Sequence, residues 1–391
     1  MQFKLTKKEK SWILYDVGNS AFVLMVSTIL PVYFNYLAQN AGVSDVDYLA
    51  YWGYAASIST LIVAVLGPVM GTLADTRGFK KPLFLSCILV GCAGCLLMGL
   101  TTWWISFLVI FIIAKVGFHS SLVFYDSMLS DVTTPERMDR VSSFGYAWGY
   151  AGSCIPFVVS LVFVLGYQKM GLSFETGMMI AFAVVAVWWL VMSLSLMKQY
   201  RQVHYVERKS HAMRESVGRI IETLRSVRKQ KKIFLFLIAF FFFIDGVYTI
   251  IDMATAYGSA LGLDSTGLLL ALLVTQFVAF PFSILFGRLA EKYDTGKLIL
   301  TCIAAYTGIT VFAVFMKAQW QFWVLAIFVG MFQGGIQALS RSYFAKIVPP
   351  ERSGEYFGLM DICGKGASFM GTTVVGLASQ AFGSINIGVS A

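Results

Sequence analysis

The sequence predicts an all-α integral membrane protein, a duplicated bundle of six plus six transmembrane helices whose twelfth helix is cut short. Three observations predict it. A chain of 391 residues that is 58% hydrophobic and 13% charged, with a mean hydropathy of +0.73, has too little polar surface to cover a water-soluble globule. Its apolar runs last roughly 20 residues each, enough at ~1.5 Å per residue to cross a ~30 Å hydrocarbon core as helices, and strand-type alternation is missing. Finally, two charged connectors recur: Gly71 to Lys81 reads G-T-L-A-D-T-R-G-F-K-K, and Gly287 to Lys297, 216 residues later, reads G-R-L-A-E-K-Y-D-T-G-K. Ser127 with Pro135-Glu136-Arg137 returns 215 residues on as Ser342 with Pro350-Glu351-Arg352, so the repeating unit is about half the chain.

In order, the first span covers 12–37. It contains Asp16 and Asn19 and lacks a small-residue cleavage site, so it is expected to stay as a span and not to leave as a signal peptide. Spans at 48–74, 82–100, 104–128, 142–166 and 176–197 complete an N-terminal half, 1–197. Residues 198–232 are the one sizeable hydrophilic interval. There Val217, Ile220, Ile221, Leu224 and Val227 recur at helical spacing, which predicts a basic amphipathic helix on the anionic leaflet or bracing the halves. The C-terminal half, 233–391, holds spans at 233–257, 265–290, 298–316, 322–344 and 354–380, and an apolar remnant from Ser384 reads as the start of the twelfth. All six cysteines fall in spans; Cys92 and Cys95 make a C-x-x-C without a second ligand pair, which reads as helix packing.

The basic residues orient the chain. With the N-terminus inside, 26 of the 30 Lys and Arg lie in segments facing the cytoplasm, eleven of them in 198–232. The outer loops keep Lys169 and Lys317, while Lys115 and Lys365 fall inside spans. By the positive-inside rule this places the N-terminus in the cytoplasm. The net charge of +9 is thus an address label, and nucleic-acid binding is not needed to explain it.

Polar residues inside spans are costly in lipid and should face a cavity or a partner. They gather on the first, fourth, seventh and tenth spans. Asp16, Asn19 and Ser20 advance along one face of the first. Lys115, His119 and Asp126 share a face of the fourth, since 11 residues return a helix to within roughly 20° of its starting face. Asp245 and Asp252 share a face of the seventh with Tyr248 and Thr249, and Gln333, Gln337 and Arg341 form an i, i+4, i+8 row on the tenth. This recurrence predicts a central polar cavity of the kind an alternating-access carrier needs. Substrate-cavity candidates are Asn19, Lys115, His119, Asp245, Tyr248, Asp252, Gln333 and Gln337. Asp16 and Asp245 are the proton-coupling candidates, because a desolvated carboxylate holds a proton more tightly; Asp16 is served equally by the dipole of its own helix N-terminus. Asp361 and Lys365, i and i+4 on the eleventh span, read as a neutralised structural pair. Gly145, Gly149 and Ser153 read as a packing face.

The motif Gly71-x-Leu73-Ala74-Asp75-x-Arg77-Gly78-x-Lys80-Lys81 resembles the loop between the second and third helices of the major facilitator superfamily. Tyr15-Asp16-Val17-Gly18-Asn19-Ser20-Ala21-Phe22 resembles, more narrowly, the opening signature of its vacuole-effluxer-like family. So do Val141-Ser142-Ser143-x-Gly145-Tyr146-Ala147-x-Gly149-Tyr150, Asp245-Gly246, Thr275-Gln276-x-Val278-Ala279-Phe280-Pro281 and the run from Gly334 to Ser342. The resemblance implies a twelve-helix transporter of prokaryotic type in a bacterial cytoplasmic (inner) membrane, and the family's best-known eukaryotic branch exports amino acids from the vacuole. The second loop departs from the pattern, with Glu291 for Asp75 and Tyr293-Asp294 for Arg77-Gly78. The stretch from Gly145 to Pro156 only loosely resembles the superfamily's antiporter glycine motif, which leaves import and export both open.

Gly71 and Gly287 should let helices approach closely, with Asp75 accepting hydrogen bonds from a neighbouring helix N-terminus or pairing with basic residues. Gating is thus expected from Gly71, Asp75, Arg77, Gly287 and Glu291. The 215 offset also maps Asp126 onto Arg341, which predicts an opposite-charge gate pair. No G-x-x-x-x-G-K-[ST] is present, so an ATP motor is not expected. The function expected is secondary transport of a small solute such as an amino acid, coupled to protons, by a monomer without cofactor or metal. A lipid or amphiphile flippase of the same fold is the first alternative, and a non-transporting receptor or scaffold the second. An enzyme is not expected, for want of a nucleophile with its base.

Overall fold

A computed structural model describes residues 3–207, 222–223, 225–260 and 265–382, with some side chains inside these stretches, Asp252 among them, outside the description. The twelfth span from Ser384 and Val217, Ile220, Ile221 and Leu224 of the amphipathic segment also lie outside the described residues. The regular elements among the described residues are helices: α1 (Lys7–Ser27), α2 (Ile29–Asn40), α3 (Asp45–Ala74), α4 (Lys80–Leu100), α5 (Trp104–Ser127), a four-residue α6 (Leu129–Val132), α7 (Met138–Gly166), α8 (Phe174–Gln199), α9 (Lys231–Ala260), α10 (Ser265–Leu289), α11 (Thr295–Val314), α12 (Gln319–Ile347) and α13 (Ser353–Phe382). Among the described residues ten runs are long and apolar enough to cross a membrane. The single isolated β-bridge among them pairs Thr76 with Val206.

The first span differs from the sequence expectation in length and continuity. It begins at Lys7, where Thr6 and Glu9 form a capping box with Thr6 N–H donating to Glu9 Oε2 at 2.7 Å and Glu9 N–H to Thr6 Oγ1 at 3.2 Å. Such a cap satisfies two amide donors reciprocally, so the helix starts ahead of its apolar stretch. It breaks at Thr28, whose φ of −129° and ψ of −67° are not helical. Pro31, without an N–H, cannot bond the carbonyl four residues back. The hydroxyls of Ser27 and Thr28 turn onto the carbonyls of Val23 and Leu24 instead.

The chain forms two compact units. The first comprises Met1–Thr133, Ala151–Ile220 and Pro349–Leu359; the second comprises Thr134–Tyr150, Ile221–Val348 and Met360–Ala391. Helices α7 and α13 therefore each contribute one portion to either unit. In the first unit, buried Trp12 stacks on Tyr125 with ring centroids 4.3 Å apart and donates from Nε1 to the Tyr125 carbonyl at 2.9 Å. Tyr15 Oη lies 2.6 Å from Ser121 Oγ. An aromatic body with a satisfied polar tip locks α1 to α5 in a way that plain apolar contact cannot. In the second unit Leu268 and Ala271 of α10, Ile309 and Ala313 of α11, and Phe322, Leu325 and Val329 of α12 make one continuous buried cluster. Large apolar side chains such as Leu61, Leu165 and Phe242 stay exposed on helix faces, which lipid and not water must cover.

Candidate functional site

The first polar cluster of the first unit is built where α3 ends. Gly71 and Gly354 meet backbone to backbone: a Cβ on Gly71 would fall 2.1 Å from the Gly354 carbonyl oxygen. One turn along, a Cβ on Gly358 would fall 2.8 Å from the Gly67 carbonyl oxygen. Two glycines four residues apart on each helix therefore face one another, the spacing that brings helix axes closest.

That approach sets Asp75, which follows α3, against the start of α13. Its Oδ1 accepts the Gly354 N–H at 2.8 Å and its Oδ2 the Glu355 N–H at 2.9 Å. These amides lie in the first turn of α13, where they have no helical acceptor and the dipole favours a negative charge. Lys80, fully buried, places Nζ 3.6 Å from Asp75 Oδ1 and 3.9 Å from Asp131 Oδ2, and donates to Ser353 Oγ at 3.1 Å. Gly78, at φ +81°, supplies the left-handed turn that returns the chain into α4.

After α8 the chain doubles back as a strap, residues 200–207. Val206 N–H donates to the Asp75 carbonyl at 2.7 Å, and Arg77 N–H to the Val206 carbonyl at 3.0 Å. Asp131 takes the other side of the strap: Tyr200 Oη donates to Oδ2 at 2.6 Å, the amides of Val203 and His204 to Oδ1 at 3.2 and 2.9 Å, and His204 Nδ1 lies 3.0 Å from Oδ1. Arg77 is exposed, pairing with Glu207 at 3.4 Å and lying 5.1 Å from the Tyr205 ring.

Burial pushes the Asp75 carboxyl up to about 6 against the opposing pull of Lys80 and the two amides. Burial also raises Asp131, but His204, Lys80 and Tyr200 outweigh it and hold that carboxyl below the usual carboxylate range. The hydrogen bond to Asp131 raises His204 against the cost of its own burial. A group whose value is raised in the folded state contributes stability that is complete below its unfolded value and lost as pH rises through the folded one. Asp75 thus favours the assembled cluster below ~3.9, with the contribution lost as pH rises through about 6. His204 favours it below ~6.5, and its contribution is lost as pH rises through its elevated value. Asp131 acts oppositely, but only below ~3.9. Hydrogen-exchange protection of the Val203 and His204 amides, corrected for intrinsic rates, should therefore fall as pH is raised from 6.5 to 9, and in His204→Gln this slope should vanish.

The second unit carries a counterpart. A Cβ on Gly287 would fall 2.7 Å from Ser143 Cβ, and Glu291 pairs with Arg140 on α7. Asp139, in the first turn of α7, accepts from Ser342 Oγ at 2.6 Å and Thr295 Oγ1 at 2.9 Å and pairs with Lys346. Arg341, buried, donates from Nε to Ser142 Oγ at 2.9 Å and from Nη2 to the Ser142 carbonyl at 3.0 Å, with its guanidinium 4.3 Å from the Tyr146 ring centroid. By the 215 offset Asp131 corresponds to Lys346 and Arg140 to Glu355, so the charge is inverted at these two positions, while Glu291 keeps the sign of Asp75. Asp131, His204, Asp139 and Lys346 were not among the residues singled out by sequence. The offset that mapped Asp126 onto Arg341 also maps Asp131, five residues on, onto Lys346, and so could have found that pair; it marks neither His204 nor Asp139.

Of the residues on the polar stripes, Asp16 and Asn19 are buried together on α1, with Asn19 Nδ2 3.5 Å from Asp16 Oδ1. Half-buried Lys115 holds its ammonium 5.7 Å from the Phe111 ring, and His119 meets Phe118 edge-on at 5.1 Å; Asp126 is half-buried on the same helix. In the second unit half-buried Asp245 and Thr249 both pack on Gly371, where a Cβ would fall 2.2 Å from Asp245 Oδ1 and 2.1 Å from Thr249 Oγ1. Tyr248 and Gln337 are half-buried and Gln333 is buried. Asp361 and Lys365 form an i, i+4 ion pair along α13. Among the described residues no group of three or more His, Cys, Asp or Glu is placed to hold a metal ion.

A family-model match and a 41% identical relative place these membrane-crossing helices, with their glycine-faced crossings and buried charge clusters at the connectors, in the class of MFS-type transporters. Solved structures share the fold: the human organic anion transporter MFSD10 superposes with a TM-score of 0.72 at 11% identity, covering 99% of this chain and 96% of that one. The proton:xylose symporter XylE gives 0.66 at 12%, covering 98% and 90%. The chain belongs to the vacuole effluxer Atg22-like family, whose model matches residues 5–135 and 130–390. The MFS-type transporter YxiO of Bacillus subtilis is 41% identical over 388 residues, 98% of this chain and 91% of YxiO. Autophagy-related protein 22-2 of Aspergillus clavatus is 24% identical over 275 residues, 63% of this chain and 44% of that longer protein.

Proposed function

We propose that the protein exports a small zwitterionic solute, amino acids foremost, by proton-coupled alternating access, as a monomer in a bacterial cytoplasmic membrane with its N-terminus and charged loops inside. The observation that carries this is the presence of ionisable side chains of both signs, Asp16, Lys115 and Asp245, within predominantly apolar membrane-crossing helices. Such groups are retained in lipid where a solute or a proton needs them. A zwitterion presents both charges, and Lys115 and Asp245 offer a partner for each. The word effluxer in the family's description favours export. The halves 1–197 and 233–391 would alternate, the two connector clusters latching the cytoplasmic side, with Asp126 and Arg341 as a further gate pair.

Counterflow of labelled amino acids in proteoliposomes tests this. Lys115→Ala and Asp245→Asn should each lower flux at least tenfold, and Asp126→Arg combined with Arg341→Asp should regain part of what either change alone removes. Equal flux in Lys115→Ala, Asp245→Asn and the parent would refute the solute assignment, and no recovery in the double swap would refute the gate pair.

A further inference from the structure

We propose that the strap, residues 200–207, is the positioning element of the first latch: it sets how long Asp75 stays on the N-terminus of α13. The inference rests on reading that cluster as a latch and adds the part that controls it. Asp75 reaches the Gly354 and Glu355 amides only because its backbone is held still. The strap supplies that hold from both sides of Thr76, through Val206 N–H on the Asp75 carbonyl at 2.7 Å and the Val206 carbonyl on Arg77 N–H at 3.0 Å. Gln202 adds a side-chain bridge, donating from Nε2 to the Ala74 carbonyl and accepting the Gly78 N–H at Oε1, both at 3.0 Å.

Unassisted, a loop of this kind would have to pay the whole entropy of ordering Asp75 in a buried position. The strap shares that cost because Asp131 already fixes it at Tyr200, Val203 and His204. The titratable or charged groups around Asp131 are His204, Tyr200 and Lys80, and around Asp75 they are Lys80 and Glu355. The strap continues directly from α8, so a displacement of that helix end is passed to Asp75 through two backbone hydrogen bonds. The second cluster fixes Glu291 through Arg140 instead.

The test is hydrogen exchange on the full chain in nanodiscs. Val206→Pro removes the one N–H that bonds the Asp75 carbonyl, Val206→Ala keeps it, and Gln202→Ala removes the side-chain bridge. Val206→Pro should cost the Gly354 and Glu355 amides at least tenfold in protection, 148 residues or more away in sequence, while the amides of α1 stay unchanged. Gln202→Ala should produce a smaller loss and Val206→Ala none. Unchanged protection at Gly354 and Glu355 when Arg77 loses its own in Val206→Pro overturns the proposal, as does equal loss in Val206→Ala. Flux separates the two levels: a parent without transport ends the latch reading whatever the exchange data show. In a transporting parent, Val206→Pro should change turnover with KM unaltered, and an altered KM with unaltered turnover also counts against the strap.

Discussion

Gly71→Val is expected to unfold the first cluster and abolish transport. A Cβ at this position lies 2.1 Å from the Gly354 carbonyl oxygen and 2.7 Å from its carbon. Both are backbone atoms of a helix, so no rotamer change relieves the overlap, and α3 and α13 must separate by at least about 1 Å to reach ordinary contact. Overpacking of this kind costs about 1–3 kcal/mol even where side chains can adjust. Separation also lengthens both hydrogen bonds to Asp75, so the loss should exceed that range. Purified Gly71→Val should melt at least several degrees lower than the parent and show no counterflow. Gly308→Ala is the control, because a Cβ there meets nothing within 4 Å, and it should change neither property. A Gly71→Val protein with parental melting and flux would show that the helices do not approach as described.

Asp75→Ala is expected to have the second-largest effect. It removes two charge-assisted hydrogen bonds to first-turn amides and leaves Lys80 fully buried with Asp131 at 3.9 Å as its remaining carboxylate. Breaking a buried pair by deleting one partner typically costs about 3–5 kcal/mol, since the other charge stays desolvated. Asp75→Asn keeps an acceptor for one amide but turns an NH2 donor towards the other amide N–H, so it should fall between Ala and the parent. Adding Lys80→Met to Asp75→Ala removes the stranded ammonium and should return part of the lost melting temperature. If the double variant is no more stable than Asp75→Ala, the cost does not arise from the stranded lysine.

The spans were legible because lipid imposes one rule on every residue of a crossing helix, and that rule shows in composition and run length. The break at Thr28 was harder to see, since Pro31 inside an apolar run is compatible with a kink, a short helix or an unbroken span. Connector glycines and Asp75 stood out through the repeat, which needs only a matching offset. His204 did not, because its role comes from the chain doubling back to Asp131, a contact between distant residues that no local spacing encodes. Asp139 was hidden for a related reason: it is an ordinary charged residue beside a helix end, and only the folded unit shows that Ser342, Thr295 and Lys346 converge on its carboxylate.

The inverted charge at Asp131 and Lys346 bears on how such a chain can evolve. If the halves descend from one ancestral unit, the positions now held by Asp131 and Lys346 once carried the same residue. Each half has since acquired a sign that only its present surroundings accept: Asp131 serves Lys80 and His204, and Lys346 serves Asp139. A chain made of two copies of the first half would have a second aspartate where the lysine belongs. Divergence of this kind acts as a ratchet, so the fused gene can drift further apart but cannot return to a dimer of identical halves by a single substitution.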